Sequence, residues 1–262
     1  MTGKLAFSGH PMVDHFAFVR DHAGDAVAKM TIPSPSVLHY RGGRAAVSTD
    51  VYPDMAAFFE DLGRAYHGAV EAFAAAGCRY LQLDETNLAY LCDPEQRALL
   101  EARGDDPDVL PGIYAGVVNA TVADRPADMV ISMHLCRGNF RSSWIASGGY
   151  EPVAEILFTG IDADGYFMEY DTDRAGGFGP LRYLPEGKQV VLGLITSKSG
   201  ELETADSLMR RIDEATAYCD IDQLCLSPQC GFSSTEEGNA VDEADQWRKL
   251  ALVVDAAERV WG

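Results

Sequence analysis

Apolar positions along the chain follow two rhythms. Short runs rich in β-branched and aromatic residues end in polar loops: Val27–Ile32, Tyr80–Leu83, Met129–Met133, Tyr166–Met168, Gln189–Ile195 and Gln223–Leu226. These lengths and compositions predict buried strands. Between them the spacing changes to three and four residues. Met55, Phe58, Phe59, Leu62, Tyr66, Val70 and Phe73 keep a helical face, and Gly77 follows as a stop signal. Leu202–Cys219 predicts a second helix, with Glu203 and Asp206 on its outer face. Ala244–Trp261 predicts a third, with Trp247, Leu250, Ala251, Val254 and Ala257 on one stripe. Leu110–Ala123 predicts another, weakened by its glycines.

Strand–helix alternation implies parallel strands joined by right-handed crossovers. Six β/α units can be counted, two fewer than a closed (β/α)8 barrel needs. The expected fold is therefore α/β of the (β/α)8 TIM-barrel type, incomplete at the N-terminus, with residues 1–262 as a single barrel domain. Ahead of Val27, Lys4–Ser8 offers at most a short strand or hairpin.

Composition narrows the class of function. With 47% hydrophobic residues, the 262-residue chain can bury one substantial core. Lys and Arg number 21 against 40 Asp and Glu, a formal charge of -19. That balance opposes binding to nucleic acid or to an anionic membrane surface. No apolar run approaches the ~20 residues of a membrane span, and no apolar segment follows Met1-Thr2-Gly3-Lys4 as in a secretory signal. A cytoplasmic location with six reduced cysteines is expected.

In parallel α/β proteins reactive groups gather where strands end. Met129–Met133 runs into His134-Leu135-Cys136, and alternation along a strand turns His134 and Cys136 the same way. Tyr166–Met168 ends at Glu169. Gln223–Leu226 ends at Ser227-Pro228-Gln229-Cys230-Gly231, where Pro228 breaks the strand and Gly231 permits a tight loop. One imidazole, two thiols and a carboxylate suit zinc and disfavour harder ions. Each motif alone has an ordinary alternative: a loop, a solvated strand end, a small buried thiol.

Met133-His134-Leu135-Cys136-Arg137-Gly138-Asn139-Phe140, Phe167-Met168-Glu169-Tyr170, Ser227-Pro228-Gln229-Cys230-Gly231 and Leu81-Gln82-Leu83-Asp84-Glu85 resemble, in order, segments of the catalytic barrel of cobalamin-independent methionine synthase in its short single-domain form. The resemblance implies zinc-dependent transfer of a methyl group to homocysteine, giving methionine. It implies His134, Cys136, Glu169 and Cys230 as zinc ligands, and Asp84, with Glu85 beside it, on the substrate side, Asp84 taking the amino group of homocysteine. Read without the resemblance, Asp84 is better explained as a helix N-cap after the strand. The implied partners are homocysteine and a methyl donor, either methyltetrahydrofolate or a methylcorrinoid carried by a corrinoid protein.

Departures from the family pattern bear on the donor. The family's two earlier barrel units, which also hold homocysteine, have no counterpart here. Gly193-Leu194-Ile195-Thr196 lacks the histidine of the folate-using enzymes, and Tyr90 stands where a glutamate near the pterin is expected. Arg137, Asn139 and Arg141 could bind an anion or form a solvated loop. The stretch from Thr31 to Ser36, leading to His39, Tyr40 and Arg41, offers donor or substrate contacts. Cys78, Cys92, Cys219 and Cys225 read as packing residues. Two rival functions remain: a zinc alkyltransferase acting on another thiol such as coenzyme M, and a non-catalytic, zinc-stabilised barrel fragment.

Overall fold

The computed structural model describes residues 1–262. Six strands, β1 (Met30–Pro33), β2 (Tyr80–Asp84), β3 (Val130–Leu135), β4 (Gly165–Glu169), β5 (Gln189–Ile195) and β6 (Leu224–Pro228), form one sheet. Their spatial order is their chain order, and every neighbouring pair is parallel. The helices are α1 (Met12–His22), α2 (Val37–Tyr40), α3 (Met55–Ala75), α4 (Asn87–Tyr90), α5 (Pro94–Ala102), α6 (Leu110–Val122), α7 (Ala154–Gly160), α8 (Ala205–Ala215) and α9 (Glu243–Trp261). Consecutive parallel strands with helical crossovers are the TIM-barrel arrangement; here they form an arc whose edges are β1 and β6.

Alternation along the strands sorts the two faces. Ile32, Leu81, Leu83, Ile131, Met133, Leu135, Tyr166, Met168, Val190 and Leu192 point to the helices and are buried in the main core. The other face carries Thr31, Gln82, Asp84, His134, Phe167 and Ser227, and is open. No helix is long and apolar enough to cross a membrane.

Local chemistry sets the helix ends. The Asp54 side chain accepts from Ala56 N at 3.0 Å and starts α3, whose face of Phe58, Leu62, Val70 and Phe73 is buried. Gly77, at φ +90°, follows α3 where an L side chain would be strained. Asp93 caps α5 through Glu95 N and Gln96 N, with Pro94 in the first turn.

Four sequence expectations need correction. Strand β1 begins at Met30, and Val27 is 72% exposed. Lys4–Ser8 forms no strand; Leu5 instead donates to the Tyr52 hydroxyl at 2.7 Å, beside Phe58 and Leu62. Helix α8 starts at Ala205, capped by Thr204, and the Glu203 side chain, ahead of the helix, turns mostly inward with 18% left exposed. Its Oε1 accepts from Thr196 N at 2.8 Å and its Oε2 pairs with the fully buried Lys249 at 2.9 Å. The apolar stripe expected on α9 is also rotated. Trp247 and Val254 are exposed, while Lys249 and Ala256 are buried and Leu252, Val253 and Val260 pack on the core. The inward face begins with a lysine, which hides it from hydrophobic periodicity.

Candidate metal centre

His134 is the penultimate residue of β3 and Cys136 follows the strand, so both face the open side. Cys230 arrives from the loop after β6. The Nε2/Nδ1 and Sγ donors of His134, Cys136 and Cys230 all lie within 4.8 Å of one another. Cys230 Sγ stands 3.6 Å from His134 Nε2. Tetrahedral zinc, with Zn–S near 2.3 Å and Zn–N near 2.0–2.1 Å, separates its ligand atoms by about 3.5–3.8 Å. The Cys230–His134 pair stands at that spacing, and Cys136 Sγ lies within 4.8 Å of both, so the donor set and its spread suit such an ion.

The approach of Cys230 depends on a missing side chain. A Cβ on Gly193 of β5 would lie 2.8 Å from Gln229 Cα and 2.8 Å from Met168 O. Only glycine lets the β6 loop settle this close. At the same place the β5–β6 register shifts between Gly193 and Ile195, and Gln229 N donates to Ile195 O at 2.7 Å.

Glu169 is fully buried at the tip of β4, behind the triad rather than in it. Its Oε2 accepts from Arg137 N and lies 3.5 Å from the Arg137 guanidinium. Its Oε1 accepts from Gln229 Nε2 at 2.8 Å and lies 3.4 Å from Arg174. Of the four expected ligands, three are brought together and the fourth is occupied by two arginines and an amide.

Asp84 pairs in register with His134 and opens onto a cavity of ≈380 Å3 that Cys230, Gln229 and Ser234 also line. Burial raises its carboxyl above the usual range, and Cys230 adds to this while His134 and Lys29 oppose it. It caps nothing: Thr86 occupies the N-cap of α4. Glu85 takes the local turn instead. Fully buried, it accepts from Ser34 Oγ at 2.5 Å, Ser36 Oγ at 2.6 Å, Asn87 N at 2.9 Å and Leu88 N at 3.1 Å. Glu85 is not among the residues lining the cavity.

Arg137 is neither a solvated loop residue nor an open anion site. It is fully buried, donates to Gly148 O and the Tyr150 hydroxyl, and lies 4.1 Å from the Tyr150 ring centroid. Tyr150 in turn donates to Leu135 O and accepts from Glu169 N, tying the tips of β3 and β4 together. Asn139 clamps the opposite loop, donating to Gly231 O at 2.7 Å and Ser234 Oγ at 2.8 Å. Lys198 donates to Gly138 O and Asn139 Oδ1. Arg141 is exposed, with φ +48°. His39 is buried against Tyr114, with its Nδ1 2.9 Å from the Tyr114 hydroxyl, and faces no opening. The other four cysteines join no ligand group.

The three ligands share protons. The hydrogen bond from Cys136, reinforced by His134, pulls the Cys230 thiol well below its ordinary range despite burial. The Cys136 thiol, as the donor and buried, is pushed correspondingly up. Burial disfavours a charged His134, but the hydrogen bond and charge of Cys230 outweigh it and raise the ring. One thiolate beside an imidazole is a nucleus ready for a divalent cation, which would displace the second proton.

Sequence reading missed Gln229, Tyr150 and Lys198. Gln229 left a signal, an uncharged polar residue between Pro228 and Cys230 in a strand-end loop. Tyr150 and Lys198 left none, since their partners come from distant elements.

Comparison with known proteins adds four observations. The profile of the family described as "Cobalamin-independent synthase, Catalytic domain" matches residues 44–259. Uncharacterized protein YxjH of Bacillus subtilis is 51% identical over 100% of this chain, which spans 69% of that protein. A Listeria monocytogenes structure assigned as a vitamin-B12 independent methionine synthase superposes with TM-score 0.80 at 41% identity, covering 100% of this chain and 73% of that one. A B12-independent methionine synthase from a Shewanella species, in complex with selenomethionine, shares the fold at TM-score 0.67 and 18% identity, covering 95% of this chain and 66% of that one.

Proposed function

The chain belongs to the family of cobalamin-independent synthase catalytic domains, and on that premise we propose that it methylates the thiol of homocysteine to give methionine, using zinc held by His134, Cys136 and Cys230. The observation that carries this reading is the convergence of three zinc-type donors within 4.8 Å of one another, with Cys230 Sγ 3.6 Å from His134 Nε2. Zinc bound there would keep a substrate thiol ionised near neutral pH, where free thiols are mostly protonated.

The protein's own groups then have separate tasks. Asp84, on the cavity wall beside His134, receives the substrate ammonium. Glu169 supplies a carboxylate within the electrostatic reach of Cys136 and His134; its release from Arg137, Arg174 and Gln229 would let it complete the ligand set before substrate arrives. The substrate sulfur forms its new S–C bond as the methyl group leaves its donor, which keeps the bonding electron pair. No protein nucleophile is needed, so approach geometry and exclusion of water supply the rate enhancement.

The relatives are described as independent of cobalamin, and nothing observed supports a corrinoid protein as partner. A methylfolate is the donor to test first, although Tyr90, half-buried at 5.7 Å from Tyr40, replaces the family's glutamate. The decisive experiment combines metal analysis and X-ray absorption with a methyl-transfer assay. One zinc per chain that gains a sulfur ligand on addition of homocysteine is expected, together with methionine formation from methyltetrahydrofolate. A metal-free chain, or zinc indifferent to homocysteine, would overturn the proposal.

A further inference from the structure

Lys29 enters the open face of the sheet immediately before β1. Its Nζ lies 4.1 Å from the Phe167 ring centroid and 4.6 Å from that of Tyr80. Phe167 belongs to β4 and is the register partner of His134 on β3. The ammonium therefore reaches across the open face toward β3, which delivers His134 and Cys136. Lys29 lines the same ≈380 Å3 cavity as Asp84, His134 and Cys230.

The environment of this ammonium is unusual. It is half-buried, has no hydrogen-bond acceptor and makes no ion pair, though Asp84 acts on it electrostatically. Burial lowers its affinity for a proton, and Asp84 opposes that effect. Two aromatic faces stabilise the cation without using its N–H donors. Partly desolvated donors without acceptors are costly in a folded protein unless something else takes them. The free donors face a cavity that already presents one carboxylate and a cluster suited to bind sulfur.

We infer that Lys29 is a specificity-determining residue that binds the α-carboxylate of the thiol substrate, so that the cavity selects a zwitterionic amino-acid thiol. The inference rests on the reading of Asp84 and the triad given above and extends it. One cation, one anion and one sulfur-binding centre on a single wall match the carboxylate, ammonium and thiol of one small molecule. A thiol without the carboxylate leaves Lys29 unpaired and binds more weakly.

The test uses the full chain loaded with cobalt(II) in place of zinc, so that thiolate binding is read from its absorption band. Homocysteine is compared with 3-aminopropane-1-thiol, which keeps the thiol and amine and lacks the carboxylate. A charge-assisted hydrogen bond predicts that the wild type prefers homocysteine by about 10- to 100-fold. Lys29→Met, whose apolar chain still packs between the rings, should bring the preference to near unity, and Lys29→Arg should retain part of it. Lys29→Gln serves as a second neutral variant if Lys29→Met folds poorly. An unchanged preference in the neutral variants overturns the role of Lys29 and leaves the homocysteine reading intact. If no thiol alters the cobalt spectrum of the wild type, both fall together.

Discussion

Gln229→Leu isolates what the amide beside Cys230 does. In the wild type its Oε1 accepts from Ser197 N at 3.2 Å and Ser197 Oγ at 2.8 Å, and its Nε2 donates to Glu169 Oε1 at 2.8 Å. Gln229 is 2% exposed, so water cannot replace these partners. Leucine strands the Ser197 N–H and hydroxyl, each costing about 1–3 kcal/mol, and leaves Glu169 Oε1 with Arg174 alone. The added apolar burial offsets about 1 kcal/mol of that. The net loss should be about 2–4 kcal/mol, read as a lower urea midpoint at unchanged m-value. The same amide fixes the residue next to a ligand, so zinc affinity measured against a chromophoric chelator should fall about 10- to 100-fold. Ser197→Ala, which removes only the hydroxyl, should cost about 1 kcal/mol. A Gln229→Leu protein that loses less than about 0.5 kcal/mol, the scale of an ordinary surface change, and binds zinc as tightly as wild type would refute the reasoning.

Other perturbations follow from the same geometry. Cys230→Ser should bind no zinc at the stoichiometry of the wild type while keeping its circular dichroism, because only one of three donors at a strand tip is lost. Gly193→Ala should cost about 1–3 kcal/mol in denaturant unfolding and weaken metal binding, since its Cβ meets two backbone atoms of neighbouring strand segments. Lys249→Met should cost about 2–3 kcal/mol, below the full penalty for a broken buried pair, because Glu203 retains some solvent; Lys249→Met combined with Glu203→Gln should recover part of the loss. Glu85 has its carboxyl pushed up by burial, against the hydrogen bonds from Ser34, Ser36, Leu88 and Asn87. A raised folded-state value gives stability that is present below the ordinary carboxylate range and disappears as pH rises through the raised value. As pH rises above the ordinary carboxylate range, wild-type stability should therefore decline relative to Glu85→Gln in parallel urea titrations; equal slopes would show that Glu85 does not contribute this pH dependence.

The strands were legible because the face packed on the helices carries an apolar residue at every second position, and a run that ends at His134-Leu135-Cys136 also fixes which way its side chains turn. The candidate ligand Cys230 was legible because it sits in the loop just past the end of β6 at Pro228. Burial of charge was not legible. Arg137, Lys249 and Glu203 read as surface residues, yet each is paired with groups supplied by other elements. Hydrophobic periodicity treats such residues as gaps, which rotated the expected face of α9. Glu169 shows the same limit from the other side. Its position at a strand tip is a local fact, but its present partners, Arg137, Arg174 and Gln229, come from three separate segments. Lys29 was overlooked because it lay inside the expected run Val27–Ile32, where hydrophobic patterning passes over a single charged residue.

Cys230 lies 96 residues downstream of His134, and two whole strands separate theirs in the sheet. Contacts this distant in sequence are among the last to form, since the intervening chain must first be ordered. Ion capture at this point would thus act as a proofreading signal for assembly: a chain that has not laid down β4 and β5 in register cannot present both sulfurs to the same point. Radioactive zinc retained by nascent or fragmentary chains would accordingly count only those that had finished folding.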